Sequence, residues 1–452
     1  MVPAADIIAA IATPPGRGGI GVIRISGKPL TNLAKIILGK LPKPRSACLS
    51  KFVDTNGQVI DQGIALYFPA PNSYTGEDVL ELQGHGGPAV MNLLLSQCLL
   101  AGARLAQPGE FTLRAYLNNK IDLIQAESVA DIIEASTIEA ARCAINSLQG
   151  RFSSRIEELV SLLITLRMLI EAALDFPEDE TDNLQTIQIQ DRLEHIHSQL
   201  EQIFNDARQG NLLQEGIKIA LVGEPNVGKS SLLNQLVEEE VAIVTEIPGT
   251  TRDTIQRTIM IAGIPIHIID TAGLRETNDI VEQKGIERTH AAIKHADMVI
   301  WLVDSNQQQI CAANQVTSHI PIDKPRITVF NKIDLLLQNP KIVDEENNPK
   351  IHLSAKTGAG IELLRKKILE IAGWQFNPAG EGLFMARQRH LEALKLAQTH
   401  LDIARSFTEN EDQLELLAEE LRLSQCALSS ITGQFTADDL LGEIFSHFCI
   451  GK

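Results

Sequence analysis

The chain has 452 residues, too many for one hydrophobic core, so two to four domains are expected. Hydrophobic residues make up 44% and charged residues 21%, the balance of a folded soluble protein, and a formal net charge of −17 argues against a chain that coats nucleic acid over its whole surface. Cysteines at 48, 98, 143, 311, 426 and 449 form no Cys-x-x-Cys pair, which suggests neither a zinc site nor a disulfide framework and fits a cytoplasmic chain.

The start, Met1-Val-Pro-Ala-Ala-Asp6, lacks a basic region, so no signal peptide is expected. Residues 1–118 mix β-rich runs with turn signals. Ile20-Gly-Val-Ile-Arg-Ile25 and Gly63-Ile-Ala-Leu-Tyr-Phe68 predict strands, and Pro88–Leu100 predicts a helix, together an α+β domain. From 119 to 214 long amphipathic helices take over, with Ile156, Leu159, Val160, Leu163, Leu166 and Ile170 at helical spacing. Arg167 and Glu171 interrupt the most apolar stretch, Leu159–Leu174, so a buried helix is expected there and no membrane span. Phe176-Pro-Glu-Asp-Glu180 breaks the helical pattern.

Between 215 and 376 strand and helix alternate. Ile217–Val222, Ile264–Ile269, Val299–Val303, Ile327–Phe330 and Ile351–Leu353 predict a mostly parallel sheet with helices on both faces. Residues 377–452 return to helix. The fold class expected is therefore multidomain α/β: an α/β domain inserted in an all-α helical domain of 119–214 and 377–452, preceded by the α+β domain of 1–118.

Gly223-Glu-Pro-Asn-Val-Gly-Lys-Ser230 follows a predicted strand and opens a helix at Ser231, the setting of a phosphate-binding loop. Its glycines let backbone N–H groups close on phosphates, Lys229 supplies a cation and Ser230 a hydroxyl for Mg²⁺; Asn226, Val227, Gly228 and Ser231 complete the contact set. Thr251, in Gly249-Thr-Thr-Arg-Asp253, offers a second Mg²⁺ ligand. Asp270-Thr271-Ala272-Gly273 ends a strand where a carboxylate can hold the Mg²⁺ shell and the Gly273 N–H can reach a γ-phosphate. In Asn331-Lys332-Ile-Asp334 the carboxylate can accept from guanine N1–H and N2–H₂ together. Adenine would leave it unpaired, at a cost of about 1–3 kcal/mol per unmatched buried group. Ser354-Ala355-Lys356 ends the next strand and offers a backbone N–H to guanine O6. In this order the motifs define a GTP-binding domain that hydrolyses GTP. Leu274 occupies the place where many GTPases keep a water-orienting glutamine, and no arginine finger is evident.

The chain resembles, nearly end to end, the MnmE (TrmE) family of bacterial tRNA-modification GTPases. The resemblance rests on Pro14-Pro-Gly-Arg-Gly-Gly19, Ile23-Arg-Ile-Ser-Gly27, Glu81-Leu-Gln-Gly-His-Gly-Gly87, Pro108-Gly-Glu-Phe111, Ile247-Pro-Gly-Thr-Thr-Arg-Asp253 and the terminal Phe448-Cys-Ile-Gly-Lys452. It implies a potassium ion in place of the arginine finger, with Asn226, Thr245, Ile247 and Thr250 as ligands. It adds Glu246, Pro248, Gly249 and Thr250 to the GTP contacts, and makes Glu282 the residue that orients water, with Asn226 and Lys229 as the other catalytic groups. It implies a 5-formyl- or 5,10-methylene-tetrahydrofolate site in the N-terminal domain at Arg24, Glu81, Lys120 and Lys452, with Cys449 a candidate for the chemistry. It also implies a homodimer that joins the FAD-dependent partner MnmG in a heterotetramer or larger complex. The expected activity is modification of tRNA wobble uridines at C5. The alternative is a ribosome-assembly GTPase similar to Era or Der, which shares the nucleotide domain; the RNA-binding module or second nucleotide domain of those proteins is not seen in this sequence.

Overall fold

The computed structural model describes residues 6–175, 182–238, 256–270, 292–307, 321, 324–345, 348–375, 382–408 and 413–433. In chain order the N-terminal part forms β1 (Ile8–Ile11), β2 (Gly18–Gly27), α1 (Thr31–Leu38), β3 (Cys48–Val53), β4 (Val59–Phe68), β5 (Asp78–Gly86), α2 (Pro88–Leu100), β6 (Arg104–Leu105) and α3 (Glu110–Leu117). Helices α4 (Leu123–Glu134), α5 (Ile138–Leu148), α6 (Arg151–Asp175) and α7 (Asp182–Glu215) follow. Then come β7 (Ile217–Gly223), α8 (Lys229–Glu238), β8 (Gln256–Ile261), β9 (Ile264–Asp270), β10 (Met298–Asp304), β11 (Arg326–Asn331), β12 (Lys341–Val343), β13 (Lys350–His352), α9 (Ile361–Ile371), α10 (Gln388–Ser406) and α11 (Leu414–Thr432).

The described residues fall into two compact units, one drawn from 1–130, 147–196 and 396–452, the other from 131–146 and 197–395. In the first, a six-stranded sheet has the order β3-β4-β5-β2-β1-β6. Alternation along the strands sends Ile23, Ile25, Leu80, Leu82, Ala65 and Tyr67 into one core with Leu33 and Ile37 of α1 and Met91, Leu94 and Cys98 of α2. The opposite pleat carries Arg24 and Glu81, which are register partners on β2 and β5. Helix α2 coincides with the predicted one, and both predicted strands lie inside longer ones. In α6 the periodic residues Ile156, Leu159, Leu163, Leu166 and Ile170 are buried and Val160 half-buried, and Arg167 donates to Gln425 Oε1 of α11 at 2.7 Å. Among the described residues no helix is long and apolar enough to cross a membrane.

The second unit is built on a seven-stranded sheet of order β12-β13-β11-β10-β7-β9-β8. The five predicted strands form its parallel centre, and antiparallel β8 and β12 close its edges. The β8–β9 hairpin turns on Ala262 and Gly263, both left-handed at φ 51° and 79°, the conformation a two-residue hairpin loop requires. Strand β12 is only Lys-Ile-Val with exposed ends, too short and polar to carry a periodic signal. One face of the sheet packs on Leu232, Leu233 and Leu236 of α8 and Leu364 and Ile368 of α9, together with Ala140 and Ala144 of α5. The other packs Ala220, Val222 and Val299 on Ile293 and Ala296. Helices thus cover both faces of a mostly parallel sheet, as the alternation predicts.

Candidate functional site

Strand β7 feeds the loop 223–228 and then α8, which begins at Lys229, slightly earlier than the sequence suggests. Asn226 and Gly228 take left-handed angles, φ 63° and 100°, the kind of turn in which successive amides can converge on an anion. A Cβ on Gly228 would stand 2.4 Å from the Asn331 Nδ2, so the position admits only glycine. Lys229 Nζ donates to the Gly223 carbonyl at 2.6 Å, spanning the loop. Ser230 and Ser231 are exposed on the first turn of α8, where unpaired N–H groups and the helix dipole favour an anion. The Ser230 hydroxyl and the exposed Asn226 side-chain oxygen are donors of the hard type that Mg²⁺ and K⁺ take.

The residues expected to read the base stand at the ends of β11 and β13. Asn331 is buried and its amide joins three segments. Its Nδ2 donates to the Val227 carbonyl at 2.8 Å, and its Oδ1 accepts from the Ala355 and Lys332 N–H groups, each at 2.8 Å. The Ala355 N–H is therefore committed to Asn331. Ser354 Oγ donates to Asp334 Oδ1 at 2.6 Å and fixes the half-buried carboxylate. Lys332, left-handed at φ 69°, places Nζ 2.7 Å from Asp304 Oδ2 at the end of β10. Burial alone would raise the Asp304 carboxyl, but Lys332 and the Asn306 N–H hold it below the ordinary carboxylate range.

These are the carboxyl ends of parallel strands, near the point between β7 and β10 where the strand order reverses, the usual place for a ligand in an open α/β sheet. The register pair Leu221–Asp270 puts the end of β9 beside β7. The Asp270 side chain lies outside the described residues. So do Thr245, Glu246, Ile247, Pro248, Gly249, Thr250, Thr251, Thr271, Ala272, Gly273 and Glu282.

In the N-terminal unit, Arg24 Nε donates to Glu81 Oε1 at 3.0 Å, and the guanidinium stands 5.6 Å from the Tyr74 ring and 6.0 Å from that of Phe111. Lys120 lines a cleft of about 520 Å³ with Tyr116, Asn119, Asp122, Glu157 and Gly433. Lys452 and Cys449 lie outside the described residues. Beneath this surface Arg114 meets Glu77, Glu110 and Asp6, and Arg104 meets Asp6 and Glu110; Arg114 is 4% and Glu110 1% exposed. Burial would raise the Asp6 and Glu110 carboxyls, but Arg104 and Arg114 hold both below their ordinary values. Sequence reading missed this network, in which Asp6 and Glu77 join the nearby Arg104, Glu110 and Arg114 from far along the chain. It also missed Tyr74 and Asp304; for Asp304 the available signal was an aspartate closing an apolar strand, and the fold makes it the register partner of Asn331.

The family description "GTP-binding protein TrmE N-terminus" matches residues 7–120, and "MnmE helical domain" matches residues 123–449. The tRNA modification GTPase MnmE of Nitrosomonas europaea is 64% identical over 447 residues, 99% of each chain. That of Nitrosospira multiformis is 62% identical over 449 residues, again 99% of each. The crystal structure of Aquifex aeolicus Era is 25% identical over 40% of this chain and 65% of that one, with a TM-score of 0.28. The MnmE match runs over nearly the whole chain. With a guanine-nucleotide site whose fixed parts are in place, and with relatives of this identity along its whole length, the chain belongs to the MnmE (TrmE) family of tRNA-modification GTPases.

Proposed function

We propose that GTP hydrolysis at this site works an order–disorder switch serving the modification of tRNA wobble uridines at C5, jointly with the FAD-dependent partner MnmG, in the cytoplasm. The product is a carboxymethylaminomethyl or aminomethyl group. The observation that carries the proposal is Asp334, set by Ser354 and joined through Asn331 to the phosphate loop, in a chain 64% identical to a tRNA modification GTPase over its length. Asp334 reads the guanine edge, Lys229 neutralises the phosphates, and Ser230 with Thr251 holds Mg²⁺. Asn226, with Thr245, Ile247 and Thr250, holds a potassium ion, which supplies positive charge where charge develops in the transition state. Leu274 supports this reading, because it cannot hydrogen-bond a water. Glu282 orients the attacking water.

The N-terminal unit is proposed to bind tetrahydrofolate, which supplies the one-carbon unit. The Glu81 carboxylate suits ring N–H donors, and Arg24, Lys120 and Lys452 suit carboxylates. Support comes from Arg24, stacked beside two aromatic rings, and from Lys120 on the rim of a cleft. Cys449 is kept as a candidate for the chemistry. The working assembly is a homodimer joined with MnmG in a heterotetramer or larger complex. The layout proposed is 1–118 for folate and dimerisation, 215–376 for GTP, and 119–214 with 377–452 as the helical support.

Nucleoside analysis of tRNA from cells lacking the gene tests the proposal. Loss of the C5 group from wobble uridines is expected, and unchanged wobble uridines would remove it, leaving the GTPase. The potassium element has its own test. Turnover should be fast in potassium chloride and slow in sodium chloride at equal ionic strength, and Asn226→Ala should abolish the difference while nucleotide still binds.

A further inference from the structure

We infer that Asp304 is a positioning residue for the guanine nucleotide: by holding the Lys332 ammonium it fixes the Lys332 alkyl stem as a wall of the slot between the phosphate loop and Asp334. The sheet order supplies the first part of the argument. Strand β10 lies between β7, which carries the phosphate loop, and β11, which carries Asn331. Two strand spacings of about 4.8 Å separate those ends, roughly 10 Å, the distance a nucleotide covers from its phosphates to its base. A nucleotide held at both ends therefore crosses the end of β10, and the group standing there is Asp304 with Lys332 laid toward it.

Geometry supplies the second part. Asp304 and Asn331 are register partners, so Lys332 starts one residue past the partner of the carboxylate it meets. Its left-handed backbone turns the side chain off the line of β11, and Nζ closes on Asp304 Oδ2 at 2.7 Å. The second oxygen, Oδ1, accepts the Asn306 N–H at 3.0 Å. Both carboxylate oxygens are thus engaged, and the carboxylate is 13% exposed against 31% for Lys332.

A lone lysine stem has four rotatable bonds and loses much of its freedom when it packs against a ligand. A stem already fixed by an ion pair has lost that freedom beforehand, so binding is stronger by the difference. The neighbouring motif residues are tied in the same way, Asn331 to Val227 and Ala355, and Asp334 to Ser354. Asp304 does for Lys332 what Ser354 does for Asp334. It acts on the flat face of the base and sugar, not on the hydrogen-bonding edge.

The test uses the full-length protein, fluorescent GDP and steady-state GTP turnover. Asp304→Asn should weaken GDP binding and raise KM for GTP by about tenfold, the scale of one charge-assisted hydrogen bond, with kcat changed less than about twofold. Lys332→Met keeps an apolar stem and removes the ammonium, and should show the same loss. Asp304→Asn added to Lys332→Met should cost nothing more, because the two changes remove one interaction. Asp304→Glu should recover most of the affinity. Guanosine and inosine nucleotides should weaken in parallel, because the wall does not touch the edge that distinguishes them. Wild-type affinity in Asp304→Asn, losses that add in the double variant, or a fall in kcat without a rise in KM would each overturn the assignment.

Discussion

In the N-terminal unit, Arg104 and Arg114 close on Asp6, Glu77 and Glu110, five charged groups brought together from the segment before β1, the loop before β5, strand β6 and helix α3. Around the phosphate loop the joining group is a neutral amide, Asn331, which reaches one carbonyl and two N–H groups. The charged network holds a fold, with each of its five groups in an ion pair. The amide ties three segments together beside Asp334, Lys229 and Ser230, the residues proposed to meet a nucleotide. A neutral joint leaves the charge of the bound phosphates to the loop and its cations, whereas a second carboxylate there would repel them. Scaffold and site thus differ in which group is spent on holding and which is kept for binding.

Breaking the charged side should have the largest effect. Arg114→Leu takes the arginine from Glu77 and leaves the buried Glu110 with Arg104 alone, and should destabilise the N-terminal unit by about 3–5 kcal/mol, read from urea unfolding. The same network has a pH signature. The folded Asp6 and Glu110 carboxyls lie below their ordinary values of 3.8 and 4.5, because Arg104 and Arg114 outweigh burial. A depressed carboxylate contributes stability in full above its unfolded value and loses it as pH falls through the folded one. Stability of this unit should hold above about pH 5 and decline progressively below about pH 4, and in Arg114→Leu that decline should be shallower.

The neutral side should respond less in stability and more in binding. Gly228→Ala forces a Cβ to within 2.4 Å of Asn331 Nδ2 at a left-handed position, so about 1–3 kcal/mol is expected, together with loss of GDP binding by calorimetry. Smaller still, Ser354→Ala removes one hydrogen bond to Asp334 and should weaken GTP about fivefold with an unchanged unfolding midpoint. An equal loss of stability in Gly228→Ala and Arg114→Leu would erase the distinction between scaffold and site.

The same distinction explains what the sequence reveals. Motif spacing finds the phosphate loop, Asn331, Asp334 and Ser354 because each sits at the end of a strand with apolar periodicity, and because left-handed positions at 226 and 228 constrain the residues there. Periodicity also finds the five central strands and the buried stripe of α6. The edge strands β8 and β12 escape it: β12 has three residues, and β8 announces itself only through the Ala262-Gly263 turn. The charged network escapes for a different reason. Asp6 and Arg114 are 108 positions apart, and no local pattern records a pair that only the folded sheet brings together. Arg24 and Glu81 become legible as a pair only through the β2–β5 register.

The account turns on Asp334 as the group that reads guanine, and one measurement bears on it most directly. Comparative binding of guanosine and xanthosine nucleotides to the wild type and to Asp334→Asn probes the carboxylate alone, because an amide can donate to the 2-oxo group of xanthine and cannot accept both donors of guanine. The account predicts a loss of GTP affinity of about a hundredfold or more with a gain for the xanthosine nucleotide, since a charged pair of hydrogen bonds is exchanged for a mismatch. Wild-type affinity for GTP in Asp334→Asn, with no gain for xanthosine triphosphate, would contradict it.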